Sequence, residues 1–104
     1  MQFRNITKFS VRIVDRSTYI WSSQANTNVE DGIQISDATT LVRCQSACIK
    51  NDNCTGIDWV PAAAASERCW LSGPWSGRRN NGTTSGVTHY DLIRSFGQIL
   101  SLKQ

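Results

Sequence analysis

Along the chain the apolar positions first fall into alternation at Phe9, Val11 and Ile13, set between Ser10, Arg12 and Val14, which predicts a half-buried strand. Tyr19, Ile20 and Trp21 form a second short apolar cluster. The stretch from Ser22 to Gly32 is polar, with Asn26, Asn28, Asp31 and Gly32, and reads as loop or turn. Ile33 and Ile35 on either side of Gln34 open a short strand. From about Asp37 to Lys50 the period changes: Leu41, Cys44 and Cys48, with Val42 and Ala47 nearby, recur at helical spacing, and Ser36 or Asp37 can cap the start. Asn51-Asp52-Asn53 turns the chain.

Two strands are predicted next. Thr55 to Val60 is one, stopped by Pro61; Ala62 to Ala65 connects, with a single helical turn allowed by the alanines. Arg68-Cys69-Trp70-Leu71 is the other, closed by Ser72-Gly73-Pro74. Trp75 to Gly86 is turn-rich, and Asn81-Gly82 is a strong tight-turn signal. Val87 to Ile93 reads as a last strand. The expectation is one domain over 1–104, its core spanning about 9–96, with 97–104 as a tail held only if Ile99, Leu100 and Leu102 dock.

Composition narrows the function. A chain of 104 residues is too short for a large enzyme scaffold, and a core of this size is modest. No apolar run approaches the roughly 20 residues of a membrane helix, so no membrane span is expected. Eleven Lys and Arg against eight Asp and Glu give +3, far below a dedicated nucleic-acid binder, and the arginines are scattered among four tryptophans. Nucleic acid is not an expected partner. No phosphate loop, metal cluster or paired-carboxylate motif is present, and the single histidine, His89, with Asp91 on the same strand face, makes at most a weak dyad. No enzyme activity and no cofactor are expected.

Cys44, Cys48, Cys54 and Cys69 allow three disulfide connectivities, or a zinc site in which three of them join His89. Only Cys44-x3-Cys48 looks like half a zinc motif, which favours disulfides. Cys44 and Cys48 share a helix face one turn apart. Cys48 can reach Cys54 past the turn, and Cys44 can then reach Cys69 on a strand, pinning the helix across a sheet. Three sequons occur, at Asn5, Asn53 and Asn81. Asn5 and Asn81 are the glycosylation candidates, since Asn53 adjoins Cys54. Met1-Gln2-Phe3-Arg4 has no apolar signal region. The expected location is extracellular, in a secreted protein or an ectodomain fragment, the leader being absent from this chain.

Cys44-Gln-Ser-Ala-Cys48, Asn53-Cys54-Thr55-Gly56-Ile57-Asp58-Trp59 and Arg68-Cys69-Trp70-Leu71 together resemble the PAN/apple domain over roughly residues 33–94. The resemblance implies an α+β fold, a small antiparallel sheet cradling one helix, with disulfides Cys44–Cys69 and Cys48–Cys54. The chain departs from those members that join the first and last strands by a further disulfide. It has the four-cysteine form, with Phe96 near where the last cysteine would fall. Closure of the termini is then expected from Phe9, Val11 or Ile13 against Leu92 and Phe96.

The resemblance also implies non-catalytic binding of carbohydrate, including heparin-like glycans, or of protein. On the Cys69 strand, Arg68 and Trp70 are expected opposite the helix, and the next loop adds Trp75, Arg78 and Arg79. Arginine forks suit sulfate and carboxylate, and tryptophan faces stack on sugars. The candidate ligand site is therefore Arg68, Trp70, Trp75, Arg78, Arg79 and His89, with Tyr90 beside it and an acidic or sulfated glycan in view. The alternative is a protein adhesion module, or a matrix or receptor domain without its own small ligand. Trp59 is expected in the core.

Overall fold

The computed structural model describes residues 19–94. The predicted strand at Phe9–Ile13, Phe96, the tail and Asn5 lie outside them. In chain order the elements are β1 (Ile20–Ala25), β2 (Asn28–Val29), β3 (Ile33–Gln34), α1 (Leu41–Lys50), β4 (Gly56–Trp59), a 3-10 turn (Ala65–Glu67), β5 (Cys69–Ser72), β6 (Arg79–Asn80) and β7 (Thr88–Ile93). Five strands form one sheet in the order β1-β7-β4-β5-β3, and β2 and β6 pair as a separate ribbon. The pairs β7–β4, β4–β5, β5–β3 and β2–β6 are antiparallel. One compact unit spans Trp21–Leu92.

The α+β architecture follows from how few apolar side chains must be covered. α1 packs on β4 and β5. The buried apolar residues of the described chain are Ala38, Ile57, Leu71, Leu92 and the four cysteines. Cys44 is bonded to Cys69 and Cys48 to Cys54, and no cysteine is free. This is the pairing that reach along the helix allows and that the family resemblance implies. With every sulfur in a disulfide, the zinc set with His89 does not form. In the strand register Ile57 lies opposite Leu71 and Trp59 opposite Cys69, so these four share the face under α1. Trp59 is only half-buried there.

The helix starts later than its hydrophobic period predicts. Ala38 N–H donates to the Ile35 carbonyl, which puts Ser36 and Asp37 in a turn instead of a cap. Thr40 is the N-cap, its Oγ1 accepting from Arg43 N–H at 3.2 Å. Val42 is 70% exposed, so the buried stripe narrows to Cys44 and Cys48. At the other end Asn51 Oδ1 accepts from Asn53 N–H at 2.9 Å, the side-chain turn expected of Asn51-Asp52-Asn53.

The polar stretch 22–32, expected to be loop, contains the end of β1 and all of β2. β1 is mostly exposed, so backbone pairing holds it and no apolar alternation announces it. The helical turn allowed at Ala62–Ala65 forms three residues later, at Ala65–Glu67. Gly82 adopts φ 71°, the left-handed conformation that the Asn81-Gly82 turn asks of a glycine. Its N–H reaches the buried Thr27 Oγ1 at 3.1 Å, which ties the turn to the start of the ribbon.

The two disulfides close loops of different length, 25 and 6 residues in separation. Loop-closure entropy assigns about 3.5 kcal/mol to the longer link and about 2 kcal/mol to the shorter. Urea unfolding of Cys44→Ser/Cys69→Ser and Cys48→Ser/Cys54→Ser is expected to show the first pair as the more destabilised. The reverse order would contradict the role given to Cys44–Cys69.

Candidate functional site

The sheet face away from α1 carries the polar chemistry. Antiparallel register places Gln34, Trp70, Asp58 and His89 in one row across β3, β5, β4 and β7. The adjacent row carries Ser72, Gly56 and Asp91. The β2–β6 ribbon attaches to this face through side chains.

Asp58 is the centre of that attachment. It is 5% exposed, and a buried carboxylate costs several kcal/mol unless its lone pairs are met. Here Val29 N–H of β2 donates to its two oxygens at 3.0 and 3.3 Å. His89, 1% exposed, places Nδ1 2.7 Å from Asp58 Oδ1. The other ring nitrogen, Nε2, lies 3.1 Å from Asp91 Oδ1. Each ring nitrogen of His89 therefore faces a carboxylate oxygen, one on β4 and one on its own strand. Arg79 of β6 then grips Asp91 with two nitrogens at 3.3 and 2.6 Å, and donates to Gln24 Oε1 of β1 at 2.9 Å. The relay runs from β2 through β4, β7 and β6 to β1.

Asp91 feels opposing forces. Burial pushes its carboxyl up; the Arg79 hydrogen bond, the positive charges of His89 and Arg79 and the His89 hydrogen bond outweigh this and hold it below its ordinary value of 3.8. Gly56 makes the relay possible sterically. A Cβ there would fall 2.7 Å from the Tyr90 carbonyl oxygen and 2.9 Å from His89 Nε2, so only a hydrogen leaves space for the imidazole.

Beside the relay, under the β2 end of the ribbon, lies a pocket of about 300 Å³. Trp70, Val29, Val60 and Val87 give it apolar wall, and Asn28, Glu30, Asp31 and Asp58 give it polar groups. Among the described residues no Lys or Arg lines it. A second cavity of about 370 Å³ runs beside α1 with Arg43 and Lys50 on its rim and no aromatic side chain. Among the described residues no His, Cys, Asp or Glu group is arranged to hold a metal, and no helix is long and apolar enough to cross a membrane.

The six residues singled out from the sequence do not form one surface. Arg68 donates to the Ala63 and Thr39 carbonyls at 2.9 and 3.2 Å, tying the 3-10 connection to the residue before the helix cap. Trp75 folds onto Gly73, its Nε1 donating to the Leu71 carbonyl at 3.2 Å. Arg78 is exposed and Arg79 is held in its ion pair. His89 is buried, not at a ligand-facing edge. Tyr90 is half-buried on the α1 side of the sheet, in register with Ile57. Trp70 alone lines the pocket, with its Nε1 donating to the Glu67 carbonyl at 2.9 Å. Asn81, the glycosylation candidate within the described residues, is exposed.

Sequence reasoning did not single out Asp58, Glu30, Asp31 or Asn28 as the polar groups that line this pocket. For Asp58 a signal existed: a carboxylate between Ile57 and Trp59 in a strand needs a buried partner, and His89 is the only histidine. The ribbon residues carried no such signal, because two-residue strands leave no periodicity. No family model, no curated protein and no solved structure matches this chain.

Two outcomes test the relay. Gly56→Ala is expected to cost about 1–3 kcal/mol in urea unfolding, since neither a backbone carbonyl nor a buried ring yields easily; an unchanged midpoint would contradict the packing. For Asp91 the sign follows from its depressed titration. Its contribution to stability is present above the ordinary carboxylate value and is lost as pH falls through the lowered folded one. Between about pH 6 and about pH 3 the unfolding midpoint of Asp91→Asn should therefore fall less steeply than that of the parent chain.

Proposed function

We propose that this chain is a non-catalytic, extracellular recognition domain of the PAN/apple kind, and that carbohydrate is its ligand, taken in the pocket walled by Trp70. One observation carries the reading: an indole and three valines stand in a concave site beside Asn28, Glu30, Asp31 and Asp58. Apolar sugar faces stack on such an indole, while amide and carboxylate oxygens accept from sugar hydroxyls. The PAN/apple assignment draws support from the Cys44–Cys69 and Cys48–Cys54 pairing and from the single helix over an antiparallel sheet. The extracellular setting draws support from two disulfides in so small a domain.

The non-catalytic part rests on the reactive groups being engaged. Both nitrogens of His89 face carboxylates and all four sulfurs are in disulfides. The ligand need not be acidic. Residues 19–94 contain six Lys and Arg against seven Asp and Glu, so the surplus of positive charge lies elsewhere in the chain. Arg68 and Arg79 are held by protein groups, and the carboxylates of the Trp70 pocket repel sulfate.

Oligosaccharide titration, guided by a glycan array, tests the reading. Trp70→Ala is expected to weaken binding by about tenfold or more, while Arg78→Ala stays within about twofold of the parent. The opposite pattern, with affinity following Arg78, would return the site to the arginine loop.

A further inference from the structure

The charge within the Trp70 pocket selects among sugars, a point that rests on the carbohydrate reading above. Three carboxylates line the space, and they are not equally free. Asp58 is met by Val29 N–H and by His89. Glu30 accepts through one oxygen, Oε2, from Asn80 Nδ2 at 3.1 Å and has no ion-pair partner among the described residues. Asp31 is exposed and has no ion-pair partner among the described residues. The two carboxylates just after β2 therefore bring negative charge to a cavity that, among the described residues, no Lys or Arg lines. Beside the valines, the apolar wall includes the indole of Trp70, and an indole face attracts a cation within about 6 Å of the ring centroid. Carboxylates without a counter-charge, an aromatic face and room for a small ring together describe a receptor for an ammonium group carried on an apolar-faced ring.

We infer that the pocket takes a saccharide bearing a free, protonated amine, an amino sugar without its N-acyl group, and prefers it to neutral sugars of the same size. The ammonium lies against Trp70 between Glu30 and Asp31, and the ring hydroxyls meet Asn28. Acylation removes the charge and with it the preference. The neutral amide has neither a Coulombic attraction to the carboxylates nor a cation–π contact with the indole.

Calorimetric titration of the full chain with a glucosamine tetramer, its N-acetylated counterpart and a glucose tetramer tests this, at a pH where the amine is protonated. The glucosamine oligomer is expected to bind about tenfold tighter than the other two. Glu30→Gln with Asp31→Asn, both exposed positions, should bring the three within about twofold. In the parent chain the preference should shrink as salt is added, which gives a readout independent of the variants. Equal affinity for all three overturns the amine preference and leaves the carbohydrate reading standing. Failure of all three to bind overturns both.

Discussion

The sheet and its helix depend on a core that is half sulfur. Among the described residues only Ala38, Ile57, Leu71 and Leu92 are buried apolar side chains besides the four cysteines. Hydrophobic burial of that extent, at about 25 cal/mol per Å², is small beside the entropy of ordering the chain. Cys44–Cys69 removes part of that entropy in advance by holding the middle of α1 over the start of β5. Cys48–Cys54 then fixes the turn from α1 into β4. Ile57 and Leu71 fill the space so enclosed, and the register of β4 against β5 follows from their lying opposite each other.

Once the inner face is given to that core, the outer face must carry everything else, and it does so through charge. Asp58 sits mid-strand with its neighbours Ile57 and Trp59 pointing to α1, so its side chain has no course but outward. The ribbon buries it, and the buried carboxylate is tolerable because the same ribbon supplies Val29 N–H and the next strand supplies His89. His89 in turn needs Asp91, and Asp91 needs Arg79. Each group compensates the desolvation of the one before it, so the relay acts as a unit and its members are not additive.

How much of this was legible depended on periodicity. α1, β4, β5 and β7 each have a repeat or a turn signal long enough to read, and the cysteine spacing tied them together. β2 and β6 are two residues each, below the length at which alternation means anything, and β1 is nearly all exposed. Those are the pieces that build the site. The sequence marked Trp70 and Arg79 for their chemistry. It could not show that Arg79 is directed to Asp91, or that Glu30 and Asp31, 39 or more positions before Trp70, come to the same pocket. Contacts made across such separations are set by the ribbon's docking, and the docking is set by Asp58.

That dependence joins the relay to the pocket. Asp58 contributes one atom group to both: its oxygens hold Val29, and Val29 stands between Asn28 and Glu30, which line the pocket. The β2 side of the pocket is therefore positioned by a bond made inside the protein, on the strand next to Trp70. Trp70 itself is fixed by its Nε1 bond to Glu67, and Gly32 lets the chain pass close, since a Cβ there would lie 3.0 Å from Trp70 Cβ. Both sides of the pocket are thus set before a ligand arrives. On the proposed reading, a site ordered in this way would lose little conformational entropy on binding, so that one aromatic face and a few polar atoms would suffice in a domain with so small a core.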